Sequence, residues 1–355
     1  MVCRLSSGQP AARVAAERTR QPWATSRNAF GVGIKLSHPN RSSTPSHCWT
    51  IESDWTKHDP MRLGIISPIV TLLPRSHNAW EADATVADLV TVAQAADRLG
   101  YHHLGASEHV AVPVNVEPRR GLRYWDALST LSFLAAKTDR IRLATNVIVL
   151  PYHHPLEVLK HYSTLDRLSG GRLILGVGVG SLEEEFALLG RKFPGRDARA
   201  DDAIRAIRAG WGTRVQRYHG THFSYEDFVV DPAAVRERVE IWVGGRTERS
   251  LRRAVELGDA WVPFLLGPEQ LAVMLSRARQ TEAWQRRARP PEIVLWPEPA
   301  VDVLKDADRV RRQAHEYLDL GATILNYRFE SKSLAHHIDQ MARLVELLAD
   351  TMARG

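Results

Sequence analysis

HYSTLDRLSGGRLILGVGVGSLEEEFALLG, residues 161–190, holds the reading on which the fold turns. A helical pattern stops at Ser169-Gly170-Gly171, a strand runs from Arg172 to Val177, and the loop Gly178-Val179-Gly180-Ser181 opens an acidic helix. Strand, glycine loop and helix start together bring bare backbone N–H groups to a ligand, which suits an α/β enzyme holding an anionic or phosphorylated planar cofactor. Glycines also serve ordinary tight turns, so the loop takes its meaning from the pattern around it.

That pattern is strand–helix alternation from Met61 onward. Apolar runs predict eight strands: Arg62–Ser67, His102–Ser107, Ile141–Val149, Arg172–Val177, Glu240–Val243, Ala260–Pro263, Ile293–Val301 and Ala322–Asn326. Amphipathic spacing predicts helices over Asp83–Leu99, Pro155–Leu168, Thr247–Leu257, Pro268–Arg287, Asp306–Leu320 and Leu334–Thr351, with Gly100, Gly258 and Gly321 as left-handed caps. Eight β/α units fit a single (β/α)8 barrel spanning 61–355; a doubly wound sheet is the alternative, since strand count does not show closure. The longest departure, Gly190 to Glu240, holds a helix over Asp197–Trp211 and a hairpin from Val215–Tyr218 to His222–Tyr225. Insertions of this kind often cover an active site.

Charge separates the first 60 residues from the rest. They carry eight Lys/Arg against four Asp/Glu, whereas the remainder carries 39 against 37. The basic excess belongs to this leader, so the body offers no electrostatic footprint for nucleic acid. The leader is rich in Ser, Arg, Pro, Thr and His without a period and reads as disordered, with Met61 as the expected natural start. Both cysteines, Cys3 and Cys48, lie in it, so the body has neither a disulfide framework nor a cysteine metal site. At 44% apolar and 25% charged, the chain can bury a core without such staples. No stretch has the apolar length of a membrane span and no apolar h-region marks a secretory signal, so the expected location is the cytoplasm.

In a barrel, ligands meet the C-terminal ends of the strands. Ser67-Pro68 ends strand one and Glu108-His109 follows strand two. Histidine exchanges protons near neutral pH and a neighbouring carboxylate orients or charges it, which makes this pair the acid–base candidate; a surface Glu-His pair is the plain alternative. Gly244-Gly245-Arg246-Thr247 ends strand five and opens a helix, offering amides, a guanidinium and a hydroxyl to a phosphate; the plain alternative is a turn in which Thr247 caps the helix. Glu183-Glu184-Glu185 stands in a first helical turn, where acids complement the dipole, and reads as capping rather than catalysis. Adjacent His153-His154 reads as a loop or substrate lining, not a zinc site, and the other histidines as structural or solvated.

Three stretches together resemble the luciferase-like monooxygenase superfamily, in its actinobacterial branch that uses the deazaflavin coenzyme F420. They are LGYHHLGASEHV (99–110), TDRIRLATNVIVLPYHHPLEVLKHYSTLDRLSGGRLILGVGVGSLEEEFALLG (138–190) and IWVGGRTERSLRRAVELGDAWVPF (241–264). The resemblance implies a barrel with the cofactor in its mouth, Glu108 touching the deazaflavin and His109 as acid/base. It aligns Asn146–Val147 with a non-prolyl cis peptide behind the ring. Gly178, Gly180, Ser181, Gly244, Gly245, Arg246 and Thr247 would hold the ribityl-phosphate side, and Ser67 completes the expected cofactor site. Sugar-phosphate dehydrogenases of this family carry Glu where this chain has Ser181, so their proton-donor scheme and substrate do not transfer.

The implied reaction is hydride transfer between F420 and a small organic substrate. Trp80, Trp125, Tyr152 and Trp211 are candidates for apolar walls or for core, and Arg119, Arg120 and Arg123 for the anionic cofactor tail or a solvated loop. The resemblance also admits an FMN-dependent monooxygenase and a non-catalytic cofactor-binding subunit, and it implies a homodimer in many members.

Overall fold

The computed structural model describes residues 60–353 apart from 75, 117–119 and 122. The expectations for a disordered leader, a start at Met61, Cys3, Cys48 and Arg119 lie outside these residues, except that Met61 itself is buried just ahead of the first strand. The strands are β1 (Arg62–Ile66), β2 (His103–Ala106), β3 (Arg142–Thr145), β4 (Ile148–Val149), β5 (Leu173–Gly178), β6 (Val215–His219), β7 (Ser224–Val229), β8 (Glu240–Gly244), β9 (Ala260–Val262), β10 (Glu292–Leu295) and β11 (Ile324–Asn326). Parallel pairing runs β1-β2-β3-β5-β8-β9-β10-β11 and returns from β11 to β1, so eight strands close on themselves. This is a (β/α)8 barrel rather than an open doubly wound sheet.

Closure places alternate side chains inside, in layers supplied by every second strand. Gly64, Ala144, Trp242 and Val294 form one layer, and their register partners His103, Ile174, Ala260 and Ile324 the one beneath. These in turn pair with Arg142, Glu240, Glu292 and Arg62. Those four charges close the N-terminal end as two ion pairs, each skipping one strand: Arg62–Glu292 at 2.8 Å and Arg142–Glu240 at 2.6 Å. Burial raises the Glu292 carboxyl and Glu240 adds to the rise, against Arg62. His103, fully buried edge-on to Trp242 with ring centroids 4.7 Å apart, is pushed down to about 3 by burial, then by Arg142 and Arg62. The barrel therefore holds a neutral imidazole in its N-terminal half.

Outside, helices bury an apolar stripe on the barrel. Helix Pro155–Leu168 starts and stops where the sequence predicts, with Pro155 at its first turn and Gly170-Gly171 after it. Other expectations need correcting. Gly100 and Gly321 are left-handed, but Gly258 is extended; a β-carbon there would come within 2.8 Å of Val243, so close packing requires the glycine. The stretch read as Asp83–Leu99 is Ala79–Asp83 and Val86–Arg98, because Thr85 caps a new helix. That read as Pro268–Arg287 breaks at Thr281, which caps Glu282–Gln285. The strand read as Ile293–Val301 ends at Leu295; Pro297 and a cis Glu298–Pro299 bond follow. Helix Ala127–Ala135 was not among the predicted elements.

The hairpin β6–β7 packs on helix Arg196–Gly210. Asp202, on helix Arg196–Gly210, accepts from the Tyr218 hydroxyl at 2.6 Å and the amides of His222 and Phe223, and Phe223 meets His154 edge-on at 5.4 Å. The hairpin thus stands against the outer helical layer, while the start of the same insertion reaches the mouth, where Arg196 Nε donates to the Gly180 carbonyl at 3.1 Å.

Candidate active site

β3 ends at Thr145, the chain passes through a cis Asn146–Val147 bond, and it resumes as β4 on the edge of β5. The Asn146 amide donates to Ala106 O at 2.7 Å and its carbonyl accepts from Ser107 Oγ at 2.8 Å. Val147 sits against the ends of both β5 and β8. A β-carbon on Gly178 would fall 2.7 Å from Val147 Cγ2, and one on Gly244 2.9 Å from Val147 Cγ1. Val177 lies opposite Val243 in register, so the two glycine-bearing ends are neighbours on one rim. Gly178 itself belongs to the strand rather than the loop. Half-buried Val147, with half-buried Ile66 filling the space above Gly105, leaves an apolar floor at the mouth.

This packing gives a direct test. Gly178→Ala or Gly244→Ala is expected to destabilise the barrel by about 1–3 kcal/mol through overpacking. Adding Val147→Ala should return most of that loss in chemical denaturation. A double variant no more stable than the single glycine variant would show that Val147 is not the clashing neighbour.

Glu108 and His109 are adjacent but engage different partners. Glu108 Oε2 accepts from the Val149 amide at 2.6 Å and Oε1 lies 2.8 Å from His153 Nε2. Burial alone would lower the His153 pKa, but the Glu108 hydrogen bond and charge outweigh it and raise it. Glu108 therefore braces the segment after the cis peptide. His109 Nδ1 lies 2.7 Å from Glu185 Oε2, and its ring stands edge-on to Tyr124 with centroids 4.5 Å apart.

Glu185 corrects the capping reading of the acidic run. It is wholly buried, and besides His109 it accepts from Tyr152 Oη at 2.8 Å and from the amides of Val110 at 2.6 Å and Ala111 at 3.1 Å. Burial would raise its carboxyl, but donation from His109 first, then Tyr152 and Ala111, outweighs it and lowers the pKa. The carboxylate is ionised and fully used. Burial and the bond to Glu185 raise the Tyr152 phenol, which stays protonated as a donor. The sequence carried a signal for this role. Leu182, Glu185, Phe186 and Leu189 are spaced i, i+3, i+4, i+7, so this acid alone of the three occupies an apolar-face position.

The remaining predicted residues ring the mouth. Ser181 Oγ accepts from Arg120 at 3.1 Å. Gly180, left-handed at φ 74°, packs on Val149 and Phe186. Gly245 adopts φ 132° beside Ser250, and the Thr247 hydroxyl caps the following helix, accepting from the Ser250 amide at 3.2 Å. Arg246 is exposed with its guanidinium 5.7 Å from the Phe264 ring centroid. Arg123 donates to the carbonyls of Glu81 and Ala82 and belongs to the scaffold. Tyr152 serves Glu185, Trp211 is core, and Trp80 and Trp125 pack partly buried against the core. Among the described residues, three polar groups at C-terminal strand ends have buried atoms without protein partners: Ser67 Oγ after β1, both amide atoms of Asn326 at the end of β11, and Trp296 Nε1 after β10. Asn326 and Trp296 were not among the predicted site residues. Among the described residues, no group of three or more His, Cys, Asp or Glu is placed to hold a metal, and no helix is long and apolar enough to cross a membrane.

Comparison with known proteins gives the same architecture. The chain is 27% identical over 251 residues to the oxygenase component of a flavin-dependent trigonelline monooxygenase from Acinetobacter baylyi, covering 68% of this chain and 67% of that one. Among solved structures it resembles the monooxygenase RslO1 from Streptomyces bottropensis (TM-score 0.64, 21% identity, 83% of this chain and 99% of that one). It also resembles the coenzyme F420 dependent tetrahydromethanopterin reductase from Methanopyrus kandleri (TM-score 0.60, 15% identity, 81% and 97%). The family model for luciferase-like monooxygenases matches residues 61–353, the whole of the closed barrel and its outer helices. With strand closure and a match of that extent, the chain belongs to the luciferase-like monooxygenase family, whose members are oxidoreductases.

Proposed function

We propose that this protein is an F420-dependent oxidoreductase that moves a hydride between the deazaflavin and a small organic substrate, with His109 as the acid/base. The observation that carries the reading is the His109 imidazole at the end of β2, tied through Nδ1 to a buried carboxylate, with no protein partner for Nε2 among the described residues.

The residues at the mouth fit such a cofactor. Ile66 and Val147 offer an apolar shelf for a flat ring. The unpartnered Ser67 hydroxyl and Asn326 amide offer polar groups to its edge, since buried polar atoms without protein partners call for a ligand or water. Ser181, Gly245, Arg246 and the amides around them would take the phosphate side, and Arg120 an anionic tail. Bound F420 supplies hydride chemistry. The chain supplies the proton: Nε2 takes the proton of a substrate hydroxyl as its carbon gives up hydride, or returns it in the reverse direction. Glu108 acts by holding the Val149 amide and His153, which fixes the segment after the cis peptide.

A second reading, an FMN-dependent monooxygenase, draws on the flavin-dependent relative from Acinetobacter baylyi. Titrating the purified protein with F420 and with FMN, oxidised and reduced, and following ring fluorescence separates the two. Saturable binding of F420 with none of FMN is expected; the opposite outcome replaces the first reading with the second.

A further inference from the structure

We infer that Glu185 is a positioning residue that dictates the tautomer of His109, and through it the role of Nε2. The inference rests on the proposed acid/base role of His109, but its physical core is a count of donors and acceptors. Four donors converge on one buried carboxylate. Oε1 receives the amides of Val110 and Ala111; Oε2 receives His109 Nδ1 and the Tyr152 hydroxyl. An ionised carboxylate only accepts, so Nδ1 carries a proton at every pH at which Glu185 is charged. In neutral His109 the lone pair is then on Nε2, the nitrogen left for substrate. The ring cannot turn over to exchange its nitrogens without losing the 2.7 Å bond to Glu185. Tyr152, whose phenol stays protonated, adds a second donor to the same oxygen and holds the carboxylate from the other loop.

The arrangement gives Glu185→Gln a specific consequence. A glutamine side chain has one acceptor oxygen and one NH2. Backbone amides can only donate, so the oxygen must stay with Val110 and Ala111. The NH2 then faces His109 Nδ1 and Tyr152, and both of these are able to accept. His109 is forced into the opposite tautomer, with the proton on Nε2. The substitution nearly preserves shape and leaves every other residue of the mouth in place.

The test uses the full-length protein without cofactor, labelled with 15N-histidine, and long-range 1H–15N spectra at pH 8. The His109 signal is identified by its absence in His109→Asn. Wild type is expected to show the Nδ1–H tautomer and Glu185→Gln the Nε2–H tautomer. Wild-type protein in the Nε2–H form, or an unchanged tautomer in Glu185→Gln, overturns the inference. If Glu185→Gln fails to fold, the wild-type tautomer decides alone, and Glu185→Asp, which keeps an acceptor-only group, should retain Nδ1–H. In turnover, Glu185→Gln should lose about 10²- to 10⁴-fold in kcat, as for loss of the base itself, with unchanged cofactor affinity. A tautomer switch with full turnover keeps Glu185 as the positioning group and instead removes His109 from the chemistry, so the two readings fail separately.

Discussion

His109→Asn is expected to lower hydride-transfer turnover by about 10²- to 10⁴-fold, the usual range for removing a general acid/base, while leaving cofactor affinity unchanged. Asparagine is the informative choice because its amide NH2 occupies roughly the place of Nδ1–H. It can keep donating to Glu185 Oε2, so the buried carboxylate retains four donors and only Nε2 disappears. His109→Ala removes Nε2 and the Glu185 donor together. Its turnover should fall as far as that of the asparagine variant, but it should also lose stability, by about 1–3 kcal/mol for leaving a buried acceptor under-satisfied. Equal rates with unequal denaturation midpoints would separate proton transfer from support of the carboxylate. Unchanged turnover in both variants would remove His109 from the reaction and favour a barrel that binds cofactor without catalysis.

The contrast between those two losses mirrors what the sequence made visible. Strands buried on both faces read as apolar runs, and Gly170-Gly171 and Pro155 punctuate the chain at the element ends, so the barrel and the helix Pro155–Leu168 were legible. The glycine loops and Glu108-His109 were legible because each lies within a few residues of a strand end. Pairings across the fold were not. Glu185 is 76 residues from His109, and its place in a first helical turn is explained equally well by the dipole. Glu108 meets His153 across 45 residues, and nothing local distinguishes that pair from two loop residues. Gly178 and Gly244 looked like ligand loops from their spacing, whereas the structure supplies a packing reason, the Val147 side chain, that only closure of the barrel brings to both. Ile141–Val149 reads as one apolar strand because a change of peptide geometry at Asn146–Val147 alters no side-chain pattern. Asn326 carries no such signal for the opposite reason: its interest is the lack of partners among the described residues, which no sequence displays.

Asp166→Ala is expected to cost about 3–5 kcal/mol of folding stability, the range for stripping one partner from a buried ion pair. Asp166 lies in helix Pro155–Leu168, within the stretch that first identified the fold, and its side chain is completely buried. Oδ2 accepts from the amides of Val235 and Arg236 at 3.0 and 3.2 Å, and Oδ1 from the Arg236 guanidinium at 3.1 and 3.2 Å. Arg236 also donates to the Leu173 carbonyl at the start of β5. One carboxylate thus pins the segment that feeds β8, the strand that carries Gly244 to Val147. Alanine leaves two amides and a partly buried guanidinium without their acceptor. Asparagine keeps one oxygen for the amides but turns its NH2 toward the guanidinium, so Asp166→Asn should fall between Asp166→Ala and wild type. Arg236→Met leaves the wholly buried carboxylate without its cation, held by two amides alone, so it should cost about as much as Asp166→Ala. Urea denaturation at constant m-value tests the order. A loss below about 1 kcal/mol in Asp166→Ala, the level of an exposed pair, would mean that β8 is held by strand pairing alone and that the carboxylate contributes no more than a surface charge.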